Sequence, residues 1–88
     1  MLDKPRKEID KIDVELIKLL EQRFLQVDEV VRIKRKTHLD VLDTEREQAV
    51  LSRLAEVITH KEYEEALLAT FQSIMDVSKE YQKRKDDY

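Results

Sequence analysis

The chain has 88 residues, enough for one domain with a modest core. Charged residues make up 42% of it and hydrophobic residues 41%; glycine and cysteine are absent and there is one proline. That composition excludes a glycine loop for phosphates, a disulfide framework, a thiol nucleophile and a thiolate metal site, and a net charge of −3 argues against a nucleic-acid footprint.

The first predicted helix starts at Pro5, a residue suited to the first helical turn, and continues to about Lys36 with nothing to break it. Its apolar stripe runs through Leu16, Leu20, Val27 and Val30, and Arg23 and Lys34 fall on that same stripe. Ile17, Phe24 and Val31 form a second apolar row beside it. RIKRK, Arg32 to Lys36, reads as the solvated cationic end of this helix, which the helix dipole favours. THLDVLD, Thr37 to Asp43, loses the helical period and reads as a connection. The second helix starts at DTERE, with Asp43 or Thr44 as N-cap and Thr44 with Glu47 as a capping box. Its apolar face is Val50, Leu51, Leu54, Val57 and Ile58, and Thr59 to Lys61 is a polar break. The third helix runs from about Glu62 to Arg84 with Leu67, Phe71 and Ile74 on one face, and KRKDDY reads as a fraying end. His38 and His60 both fall in the connections and read as solvated loop residues.

The expected fold is therefore all-α, three helices in one domain over residues 1–88. The first helix is too long for that domain: some 32 residues at 1.5 Å give about 48 Å, whereas a compact chain of this size is roughly 30 Å across. A homodimer in which two long helices pack together is the simplest way to cover it. No apolar run approaches the ~18 residues of a membrane span, and the N-terminal stretch has no signal-peptide core, so the expectation is a cytoplasmic protein that meets neither membrane nor nucleic acid.

All three helices carry polar groups on the face that should meet the others. Arg23 and Lys34 do so on the first, Asp43 and Glu47 on the line through Val50 and Leu54, and Ser78 and Gln82 on the line through Leu67, Phe71 and Ile74. Each has a bland explanation. Arg23 can snorkel, Asp43 and Glu47 can cap a helix, Lys34 can answer the dipole, and Ser78 and Gln82 can face water. Taken together, they also fit a polar pocket inside a helical bundle, since a buried polar group without a partner costs roughly 1–3 kcal/mol. Arg23, Lys34 and Arg46 would grip carboxylates, Asp43 and Glu47 would accept from hydroxyls, and Ser78 and Gln82 would add neutral hydrogen bonds. The ligand implied is small, polyanionic and hydroxylated; there is no metal cluster, no cofactor motif and no activated nucleophile, so catalysis would rest on positioning and electrostatics.

The chain resembles the all-helical family of chorismate mutases. The matching positions are Arg6 in PRKEIDKID, Arg23 in LLEQR, Lys34 in RIK, Asp43, Arg46 and Glu47 in DTERE, and Ser78 and Gln82 in SKEYQ, in the same order and at the same intervals across essentially the whole chain. The resemblance implies an intertwined dimer of three-helix chains that rearranges chorismate to prephenate. It implies that Arg23 and Arg46 hold the substrate carboxylates with Ser78, and that Lys34 and Gln82 donate to the ether oxygen. Asp43 and Glu47 would orient the ring hydroxyl and Lys34, and Arg6 would enter from the other protomer. Pro5 departs from the family, which usually has an apolar residue before that arginine, and the 37–43 connection lacks the glycine and proline often found there. Two other readings use the same residues: an isochorismate–pyruvate lyase of the same fold, and a non-catalytic helical dimerisation or effector-binding module.

Overall fold

The structure is a computed structural model and describes residues 1–40 and 43–86. Three helices, α1 (Asp3–Thr37), α2 (Thr44–Val57) and α3 (Glu64–Asp86), follow in order, with one 3₁₀ turn, Lys61–Tyr63, leading into α3. No strand occurs among the described residues. The first helix begins two residues before Pro5, because the Arg6 amide already reaches the Leu2 carbonyl at 3.1 Å and the proline sits within that turn without needing a donor. Lys34, Arg35 and Lys36 occupy its last turn, where cations suit the carbonyl end.

The end of α1 is closed by His38 in the left-handed region at φ 58°, with its amide and that of Leu39 both turned to the Lys34 carbonyl. Glycine usually takes this position, and a chain without glycine uses histidine, one of the residues that tolerates it. Of the predicted 37–43 connection, Thr37 belongs to the helix, His38 to Asp40 are non-helical, and Val41 and Leu42 lie outside the described residues.

At the start of α2 the N-cap is Asp43, whose Oδ1 accepts from the Arg46 amide at 3.0 Å. The Thr44–Glu47 capping box is not formed. With Asp43 as cap, the third helical position is Arg46, and the Glu47 side chain is drawn to α3 instead. The third helix holds through Asp86 rather than fraying from Lys83; Asp87 and Tyr88 lie outside the described residues.

Both α1 and α2 pack on α3, with no close backbone approach between α1 and α2 among the described residues. Tyr81 on α3 ties the first pair together: its hydroxyl donates to Asp28 and its ring meets Phe24 edge-on at 5.1 Å. Among the described residues Val27, Val31, Val50 and Met75 are the buried apolar ones, each worth about 1.5–3 kcal/mol of burial. That is a thin core. The body measures 53 × 26 × 16 Å with a radius of gyration of 15.9 Å, against about 12 Å for a compact chain of this length. Ile9, Ile12, Leu16, Ile17 and Leu19, on the N-terminal half of α1, all stand exposed.

Candidate active site

A cleft of about 330 Å³ opens where the C-terminal part of α1, the first turn of α2 and the C-terminal half of α3 converge. Val30 and Lys34 line it from α1, Asp43, Arg46 and Glu47 from α2, and Met75, Ser78, Lys79 and Gln82 from α3. Its size lies at the lower end for small-molecule sites. The helical periods explain the lining. Val30 and Lys34 are four apart, Asp43, Arg46 and Glu47 span one turn, and Met75, Ser78 and Gln82 step by three and four along one stripe.

Six of the eight residues singled out from the sequence thus share one cavity: Lys34, Asp43, Arg46, Glu47, Ser78 and Gln82. Ser78 and Gln82 are buried polar residues, 4% and 9% exposed, and so do not face water. The Gln82 amide nitrogen donates to Ser78 Oγ at 3.2 Å, while Gln82 Oε1 is buried with no hydrogen-bond partner among the described residues. Asp43 combines two positions, helix cap and cleft wall.

Arg23 lies beside this cavity rather than in its wall. It is half-buried, its guanidinium 5.5 Å from the centre of the Phe71 ring. Burial first, and then the Arg46 guanidinium, hold it below the ordinary arginine value. Two cations that raise each other's cost, one of them partly desolvated, make a place where an anion is welcome. Arg6 does not join the group. It is exposed near the start of α1, and seventeen residues at 1.5 Å separate it from Arg23 by about 25 Å.

Two cleft-side residues were missed by the sequence reading. Lys79 Nζ lies 3.2 Å from Glu47 Oε2 and 3.4 Å from Asp76 Oδ1. The Gln72 amide donates to Glu47 Oε1 and to Asp76 Oδ1, both at 3.0 Å. The hydrogen bond to Glu47 is the foremost cause that raises Lys79 above the usual lysine value, and the bond from Gln72 is foremost in holding Asp76 below the usual carboxylate range. Gln72, Asp76 and Lys79, at i, i+4 and i+7, form a polar row beside the buried one, a spacing that in the sequence looks like ordinary solvated surface.

A protein named chorismate mutase from Methanocaldococcus jannaschii is 29% identical over 80 residues, which cover 90% of this chain and 81% of that protein. No solved structure matches the chain. The family model of chorismate mutase type II matches residues 5–83, nearly the whole length over which the helices and the cleft are built, and the chain belongs to that family.

Proposed function

We propose that the cleft binds chorismate and rearranges it to prephenate by electrostatic preorganisation, with no covalent intermediate. In this reaction one C–O bond breaks as a C–C bond forms within the same molecule, so no group has to be taken up or released. The observation that carries the proposal is the convergence of Lys34, Arg46, Ser78 and Gln82 with two carboxylates in one cavity from three different helices. Arg23 and Arg46 hold the two carboxylates of the substrate with help from Ser78. Asp43 and Glu47 take the ring hydroxyl and steer Lys34.

Lys34 and Gln82 face the ether oxygen, where negative charge grows as the bond stretches, and donors fixed beforehand cost little reorganisation. The Gln82 amide nitrogen carries two N–H groups: one donates to Ser78 Oγ, and the second is the one assigned to the substrate.

The active species in this proposal is an intertwined homodimer of one-domain chains in the cytoplasm; among the described residues no helix is long and apolar enough to cross a membrane. Support for the dimer comes from the exposed apolar half of α1 and from an apolar groove of about 290 Å³ lined by Leu20, Phe24, Ile74 and Val77. Arg6 reaches the partner's cleft, since its own is too far along the same helix.

The test is a chorismate assay on the purified protein, with prephenate measured separately from pyruvate released from isochorismate. Prephenate with little pyruvate is expected. Pyruvate from isochorismate with little prephenate transfers the assignment to the lyase, and a folded dimer that turns over neither substrate leaves a binding module.

A further inference from the structure

Resting on the mutase proposal above, we infer that Lys79 is a positioning residue of the reaction: with Gln72 it fixes the Glu47 carboxylate so that it presents its remaining lone pairs to the ring hydroxyl of the substrate. Lys79 straddles both Glu47 oxygens, at 3.2 Å from Oε2 and 3.4 Å from Oε1, while Gln72 holds Oε1 at 3.0 Å. Asp76 braces the two donors from outside, 3.4 Å from Lys79 and 3.0 Å from Gln72. Gln72, Asp76 and Lys79 come from one row of α3 and Glu47 from α2, so the cluster is a tie between elements and not a pairing of neighbours on one helix.

Its setting differs from that of the other ion pairs. Lys79 and Glu47 have side chains 24% and 17% exposed, whereas Lys11 and Glu8 on the outside of α1 are 75% and 60% exposed. A pair that is partly out of water keeps its geometry, and an exposed one contributes little.

Charge explains why such a lysine is useful. A cleft meant for a dianion is weakened by each carboxylate in its wall, yet the hydroxyl needs an acceptor. A cation beside Glu47 in the cleft wall offsets its field toward the substrate, and the lone pairs that Lys79 and Gln72 leave over still accept. Without it, Glu47 turns to Arg46 in the same cleft and takes from the substrate a donor it needs.

The test uses the full chain and compares Lys79→Met, Lys79→Arg, Glu47→Gln and the double variant for kcat and KM with chorismate. In Lys79→Met, kcat is expected to fall about tenfold with KM within about twofold of the parent, since an interaction that shapes the transition state shows in kcat. Lys79→Arg is expected to recover kcat to within about threefold. In the Glu47→Gln background the same lysine substitution is expected to change kcat by less than about twofold, because its effect passes through Glu47. Equal losses in both backgrounds would mean that Lys79 grips the substrate directly or only braces the fold, and the inference falls. An active parent with an indifferent Lys79→Met also overturns it, whereas a parent that turns over no chorismate overturns the mutase proposal and this inference with it. If Lys79→Met loses the helical circular dichroism of the parent, Lys79→Gln takes its place in the same cycle.

Discussion

At the scale of single residues, Gln82 makes the sharpest prediction. It is buried against Ser78 and bears no charge, so its proposed donation to the ether oxygen needs no proton from solvent. In Gln82→Glu the new side chain donates only while protonated. Its kcat/KM is expected to fall at least tenfold as pH rises through and above the glutamic acid range near 4.3, while the parent stays active at neutral pH. A flat pH–rate profile for the variant removes Gln82 from the ether site. Tyr81 offers a second check, on packing. Its hydrogen bond to Asp28 raises the phenol above the ordinary tyrosine value, so the neutral form is the one the fold favours. The sign follows: this stabilisation is whole below pH ~10 and is lost as pH rises through the higher folded value. Ultraviolet titration should therefore show a tyrosine step above the ordinary phenol range, and Tyr81→Phe should abolish that step. Most cleft residues were legible one by one because each was a polar intruder on an apolar stripe. Lys79 and Gln72 were not, for they sit one row aside, where polar residues look like ordinary solvated surface.

At the scale of elements, the helices were readable from periodicity, and the details that differ belong to their ends. The capping assignment shows why. Asp43 and Thr44 are both good caps, and sequence alone does not choose between them. Once Asp43 takes the cap, Glu47 sits one position too late to close a box, and its carboxylate is released for the tie to α3. Asp43→Ala should then do two things at once. It removes the bond to the Arg46 amide, a loss of about 1 kcal/mol in urea unfolding, and it loosens the turn that presents Arg46 and Glu47. On the mutase proposal, kcat/KM for chorismate falls by more than tenfold in the same variant. A stability loss with unchanged turnover would make Asp43 a cap alone. Between α1 and α2, the left-handed His38 could not be read from sequence, because the signal normally used is glycine and the chain has none.

For the whole molecule, the excess length of α1 was legible from arithmetic alone, and the structure gives its consequence as a wide exposed apolar surface. The place of Arg6 follows the same geometry and supplies the test for the proposed dimer. Mixing and refolding Arg6→Ala chains with Lys34→Ala chains should restore activity that neither has alone. Half of the dimers are then mixed, and each has one complete site, giving about a quarter of the parent rate. No recovery would place Arg6 outside the partner's site. The smallest dimension of the single chain, 16 Å, is little more than one helix with its side chains. A slab of that thickness has two outsides and scarcely an inside; in the proposed dimer another copy lends it one. In such an assembly, concentration acts as a ligand. Each tenfold dilution withdraws about 1.4 kcal/mol from the assembled state, so melting temperature should climb with protein concentration, and strong dilution should extinguish helix and turnover together.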